Sequence, residues 1–413
     1  MSRMTEKPTK DLHQVRIHPI QLQYGMYVCK LDRPWLETPF LYQGFLLSHE
    51  DDLVALKSLC EYVYIDLLLT RVDVSGLKPL KAISGPGPQA YPINVDIESE
   101  IGRAAKAYSR SLAEIKYILQ LIHDHQNIDI EQMMVVVHDC LESVIRNPSA
   151  LLWLTRIKHV DQYTAEHCVN VGIQAMALGR HLGLGAKHIE LLGLCGMLHD
   201  VGKMSLDQDI LNKRGRLTPE DARHLRLHPV MGRDQLAKDP KVPQEVINVA
   251  YSHHERIDGK GYPEKLPAGR LDFYIRAITV VDAYDAITSE RCYSPSKSPA
   301  EALKILYKNI GTQFDESLVI KFIECIGLYP PGSLVQMGTG EVGIVLSVDP
   351  LHRLSPKVAL LLDDQKKPMQ QLIVDLKHEP AALQGGMKIA GVLADGAYGI
   401  NLESFTFANI KLG

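Results

Sequence analysis

Seven side chains of two kinds recur through the middle of the chain: His167, His199, Asp200, His228, His253, His254 and Asp282. Five imidazoles and two carboxylates make a nitrogen-and-oxygen donor set without thiolate. Such a set suits iron, manganese and similar divalent ions better than a structural zinc, with Mg, Ni and Co as further candidates. Seven donors are too many for one tetrahedral ion and enough for two. A carboxylate can bridge two ions where an imidazole cannot, so Asp200 is the natural bridge. One ion would take His167, His199, Asp200 and Asp282; the other would take Asp200, His228, His253 and His254. Two ions about 3.5–4 Å apart hold a bridging hydroxide against a phosphoryl centre, so the chemistry expected is two-metal phosphoester hydrolysis.

Such donors need rigid elements to bring them together. His199 and Asp200 end the stretch IELLGLCGMLHDVGK, which is apolar nearly all round. A helix of that kind is buried, and an ionised group at its end needs strong partners. His167 lies in DQYTAEHCVNV, His228 in RLHPVMG, and His253-His254 close EVINVAYSHH. Asp282 sits within RAITVVDAYDAI with Asp285 one turn on, and spacing alone does not choose between them. Helices are expected near 161–182, 186–202, 218–237, 244–254, 275–289, 299–310 and 316–326. Five of them aim a donor inward, a common way to build a metal site in a bundle core.

Upstream, Ile97, Ile101, Ala104, Tyr108, Leu112, Ile115, Leu119 and Ile122 recur at helical spacing and read as a packing or dimer face. A second helix is expected around 131–146. Short β-rich runs in 15–69 read as a small α/β unit, and SGPGPQAYP at 84–92 as a linker. After Pro330-Pro331 the runs SLVQMGTGEVGIVLSV, KVALLLDD and QLIVDL read as strands. The fold class expected is therefore multidomain and mainly α. It comprises an α/β N-terminal regulatory domain with linker (1–92), connecting helices (93–148), a catalytic helical bundle (149–330) and a short β-rich C-terminal appendage (331–413).

Composition excludes some classes. A net charge of −4 argues against nucleic acid or an anionic membrane as a non-specific partner. No run approaches the ~18 apolar residues of a membrane span. The seven scattered cysteines form no CxxC pair and fit a reducing cytoplasm.

The motifs YTAEH, LHDVGK, HPVMG, HHERIDGKGYP and VVDAYDAITSERCY, spread over about 150–328, resemble the HD-GYP family of the HD phosphohydrolase superfamily. The resemblance implies an HD-type bundle that hydrolyses cyclic di-GMP to pGpG, and onward to GMP where a second cut follows. It fills every metal-ligand position with the seven residues above, gives the ligand role to Asp282, and leaves Asp285 outside the ligand sphere. The family's optional third-metal Glu is replaced by Tyr163, so two ions are expected. The usual RPY reads Arg291-Cys292-Tyr293 here. The segment 15–140 resembles an uncharacterised domain often joined to HD-GYP modules, where signalling partners would enter.

Other roles follow from chemistry and position. Lys203, four residues after His199, would neutralise phosphate charge, and Arg291 would fork a phosphate. Glu255 would orient a ligand histidine or cap the turn. Asp258, Gly259, Gly261, Tyr262 and Pro263 would build a loop wall for substrate, with Tyr262 stacking on guanine or buttressing that wall. The competing readings are a catalytically silent cyclic di-GMP sensor or scaffold, and an HD-type phosphohydrolase acting on another nucleotide.

Overall fold

The structure, a computed structural model, describes residues 14–17, 19–32, 44–60, 62–67, 69–74, 89, 91–157, 163–211, 213, 215, 218–289, 296–349, 352, 355–378, 388–394 and 396–400. Packing separates two compact units, Met1–Gly87 and Pro88–Gly413. In the first, strands β1 (Gln14–Ile17), β2 (Tyr27–Leu31), β3 (Phe45–Leu46) and β4 (Val63–Asp66) form an antiparallel sheet of order β1-β4-β2-β3. Helix α1 (Glu50–Leu59) joins it, with three acidic residues in its first turn where the helix dipole favours them. The alternating burial of β4 leaves Val63 and Ile65 inward, in a hydrophobic cluster confined to this unit.

The second unit is a helical bundle with a sheet against it. Its helices are α2 (Ile97–His123), α3 (Ile130–Arg146), α4 (Pro148–Leu154), α5 (Tyr163–His181), α6 (Ala186–Leu198), α7 (Gln208–Leu211), α8 (Pro219–Leu225), α9 (His228–Leu236), α10 (Gln244–Ser252), α11 (Phe273–Thr288), α12 (Pro299–Lys308) and α13 (Glu316–Ile326). Asp96, Asp129, Asn147 and Asp272 cap α2, α3, α4 and α11 by accepting first-turn N–H groups. The stripe Ile97–Ile122 is buried against the bundle, so it is a packing face. Glu100, fully buried on α2, takes two bonds of 2.8 Å from Arg146 of α3, which fixes that pair of helices.

The expected single helix over 218–237 is two helices. Pro229 has no N–H and its ring crowds the carbonyl four residues back, so α8 ends at Leu225 and the chain restarts at His228. No helix among the described residues is long and apolar enough to cross a membrane.

The β-rich runs expected after 331 form one sheet. β5 (Leu334–Met337), β6 (Val342–Ser347), β7 (Lys357–Leu362), β8 (Pro368–Asp375) and β9 (Ile389–Val392) form an antiparallel sheet of order β8-β7-β6-β5-β9. Its residues divide by period two. Leu334, Ile344, Leu346, Ala359 and Leu361 join the bundle's core, while Val335, Val345, Val358 and Leu360 form a second cluster on the other face. Central strands buried on both faces read as unbroken apolar runs, which explains VGIVLS and KVALLL.

Candidate metal centre

The seven donors converge, and helix ends are the reason. The last carbonyls of a helix have no partner within the helix. His199, at the end of α6, directs Nδ1–H to the carbonyl of Gly196 at 2.7 Å. His253, at the end of α10, directs Nδ1–H to those of Val249 and Ala250, both at 3.1 Å. His228 directs Nδ1–H to Leu225 O at 2.7 Å, the carbonyl left without a donor because residue 229 is proline. His167, inside α5, uses a carboxylate instead: Asp285 Oδ2 accepts its Nδ1–H at 2.8 Å. With Nδ1 committed, each ring turns Nε2 toward the centre.

Those Nε2 atoms face one another and two carboxylates. Asp200 Oδ2 lies 3.6 Å from His167 Nε2 and 3.4 Å from His199 Nε2, while Oδ1 lies 3.3 Å from His228 Nε2 and 3.6 Å from His253 Nε2. Asp282 Oδ1 stands 3.1 Å from His167 Nε2 and 3.7 Å from His199 Nε2. His228 Nε2 is 3.3 Å from His253 Nε2 and 3.1 Å from His254 Nε2. Two groups result, His167–His199–Asp282 and Asp200–His228–His253–His254, each with donor atoms within 4.8 Å of one another.

A cation fits this arrangement. His199 Nε2 and Asp200 Oδ1 are buried and take no hydrogen bond, which buried polar atoms rarely tolerate. His228 Nε2 and His253 Nε2 converge on the same place. Burial opposes charge on His199, yet Asp200 and Asp282 outweigh it and raise its pKa to about 10. Burial depresses His228 to about 3 and holds His254 well below its usual range, keeping both as neutral donors. Burial alone would raise Asp200 and Asp282; Lys203 and His199 for the first, and His167 and His199 for the second, hold both well below the usual carboxylate range.

A family model described as an HD domain matches residues 152–318, and one described as a domain of unknown function, DUF3391, matches 14–133. A cyclic di-GMP phosphodiesterase of Pseudomonas aeruginosa is 37% identical over 371 residues, 87% of this chain and 88% of that protein. The chain belongs to the HD-GYP family. A cyclic di-GMP phosphodiesterase response regulator of Xanthomonas campestris is 28% identical over 214 residues, 50% of this chain and 56% of that protein. Among solved structures, an HDG"Y"P protein from Bdellovibrio bacteriovorus aligns over 75% of this chain and 98% of that one at 20% identity, with a TM-score of 0.45.

In this HD-GYP chain, Asp282 and Asp285 serve opposite edges of His167. Asp282 faces Nε2, whereas Asp285 accepts at Nδ1 and is itself held by Gln174 Nε2 at 3.2 Å and Ser289 Oγ at 3.1 Å. Lys203 Nζ contacts Asp200 Oδ2. Glu255 does not serve a histidine: its carboxylate accepts the main-chain N–H groups of Glu264, Lys265 and Leu266 at 2.7, 2.9 and 3.0 Å. That is the turn-capping alternative. Asp258 accepts two bonds from Arg256 at 2.9 and 2.7 Å and the N–H of Lys260 at 3.1 Å, so it too is spent within the loop.

A Cβ on Gly261 would stand 2.5 Å from Arg256 N and 2.6 Å from His254 O, so Gly261 is needed where the loop folds back on the histidines. Gly259 has φ +70°, a left-handed conformation that favours glycine. Tyr262, followed by a cis bond to Pro263, stacks on His254 with centroids 4.7 Å apart and 25° between planes. It therefore buttresses a donor histidine. Arg291 lies outside the described residues.

Sequence reading missed four contributors. Gln174 braces Asp285 from α5. Thr279 Oγ donates to His253 O at 2.8 Å, pinning the end of α10 to α11. Arg226 lies over the Tyr262 ring at 5.3 Å. Gly202 lets the turn after Asp200 touch α9, since a Cβ there would meet His228 O at 2.1 Å and Gly232 N at 2.4 Å. The recurrence of glycine in LHDVGK and HPVMG was the available signal for the last of these.

Proposed function

We propose that the chain is a metal-dependent phosphodiesterase that hydrolyses cyclic di-GMP to pGpG, with onward cleavage to GMP as a second cut. The observation that carries this reading is Asp200, whose two oxygens face different histidine groups from one buried position. The Pseudomonas aeruginosa phosphodiesterase, similar across nearly the whole chain, supports the substrate.

His167, His199, Asp200 and Asp282 would hold one divalent ion, and Asp200, His228, His253 and His254 a second, with iron or manganese preferred for this donor set. Such ions, when bound, supply Lewis acidity toward a phosphoryl oxygen and a nucleophilic water at neutral pH. The chain's own residues position everything else. Asp285 keeps the proton of His167 on Nδ1. Lys203, whose side chain is 21% exposed, anchors Asp200 and brings positive charge to the place assigned to a substrate phosphate. Arg291 is assigned the phosphate fork on resemblance alone. Gly259, Gly261, Tyr262 and Pro263 form the wall that substrate passes, stiffened by Glu255 and Asp258.

The functional division follows the motifs: regulation in 1–92, connection in 93–148, catalysis in 149–330 and support in 331–413. Signalling partners would act through the first of these, in the cytoplasm. The reading is tested by following cyclic di-GMP chromatographically with manganese-loaded protein. Wild type should yield pGpG and Asp200→Ala should not. No substrate loss in either would favour a silent binding protein, and equal loss in both would contradict the role given to Asp200.

A further inference from the structure

The far end of α5 from His167 holds a second polar feature. Thirteen residues on, about 20 Å along the helix, Arg180 is only 8% exposed. Its Nε donates to Ile145 O at 3.3 Å, and its Nη2 to Tyr91 O at 2.7 Å and Pro92 O at 3.4 Å. These carbonyls satisfy N–H groups but carry no net charge. Burial pulls the guanidinium pKa down, and the ionisable neighbours acting on it are the Cys325 thiol and the Tyr91 phenol. Among the described residues, no carboxylate pairs with Arg180 and no acceptor takes its Nη1.

A cavity of about 60 Å³ opens beside this guanidinium. At ~10–15 Å³ per water-sized probe, it has room for a handful of non-hydrogen atoms. Most of its wall is apolar, with Leu152, Ala177, Ile326, Pro331 and Val348 among the lining. Among the described residues the one carboxylate in the wall, Glu324, is engaged by His181 Nε2 at 3.2 Å and Lys321 Nζ at 2.9 Å, so it does not serve Arg180. A buried cation is stable only when paired, and apolar walls disfavour a fully polar occupant.

We infer that this cavity binds a short-chain carboxylate, with an oxygen accepting from Arg180 Nη1 and the hydrocarbon part against Leu152, Ile326 and Pro331. Inorganic phosphate presents only polar atoms and matches the guanidinium but not the walls. The site is separate from the His/Asp centre and does not depend on the activity proposed for it.

The test titrates propionate into the full chain by calorimetry at fixed ionic strength, with chloride and phosphate in parallel and a thermal scan at each concentration. Wild type should bind propionate saturably and melt higher as the ligand rises. Arg180→Gln, which loses the charge, should bind at least about tenfold more weakly. Val348→Phe, which fills the wall while leaving the carbonyl bonds of Arg180 intact, should do the same, so the result does not depend on Arg180→Gln folding. Absence of saturable binding in wild type would overturn the inference. So would unchanged affinity in Val348→Phe, or phosphate binding as tightly as propionate.

Discussion

At the scale of single residues, the centre is a set of Nε2 atoms whose direction is fixed from behind. Asp285 is the clearest case, because one buried oxygen accepts the Nδ1–H of His167 and the other is braced by Gln174. Asp285→Asn keeps the shape, removes the charge and can turn an NH2 group toward Nδ1. Loss of such an outer partner costs about 10–100-fold in metal affinity or activity, and manganese titration should read that loss. Gly202→Ala makes a different demand, since its Cβ would collide with backbone at 2.1 and 2.4 Å. A loss of about 1–3 kcal/mol in urea unfolding is expected, as for other overpacked sites, accompanied by weaker metal binding because Asp200 and His228 flank the contact. The donors themselves were legible because ionisable residues at the ends of apolar helices stand out by residue type. Glu255 was not, since its partners are three backbone N–H groups whose position depends on the loop's path and not on any side chain.

At the scale of elements, helix ends supply both geometry and titration. Depressed His228 and His254 mean that below their ordinary pKa of 6.5 the unfolded chain binds protons that the folded chain refuses. Stability therefore falls as pH drops from 6.5, and Asp200 and Asp282 add to that loss on further acidification. His199, raised to about 10, works in the opposite sense: its contribution is present below 6.5 and is lost as pH rises toward 10. Chelator-treated protein should thus melt highest near pH 6.5 and lower on either side. Manganese should remove the alkaline decline, because the ion takes the place of the proton on His199. A chelated protein with a flat melting profile between pH 6.5 and 10 would contradict this electrostatic picture. Most helices were readable from their period, but α8 and α9 were merged because the apolar pattern runs through Pro229 while the backbone hydrogen bonding cannot.

At the scale of the whole molecule, sequence families and packing draw different lines. The model for the domain of unknown function ends at residue 133, yet the compact N-terminal unit ends at Gly87 and α2 lies in the core of the second unit. Each unit has its own hydrophobic cluster. A chain beginning at Pro88 should therefore fold, retain cooperative melting and bind metal as the full chain does, while one beginning at residue 134 should not, having lost the buried stripe of α2. The C-terminal sheet was legible as strands, but its place in the bundle's core was not, because an apolar run does not say which surface covers it. The central claim is that Asp200 joins two donor groups into one centre, and metal counting tests it most directly. Protein loaded with manganese and freed of excess should carry two ions per chain, His254→Ala fewer than two, and Asp200→Ala less than one. A wild-type chain that holds a single ion, or an Asp200→Ala chain that still holds two, would contradict the account.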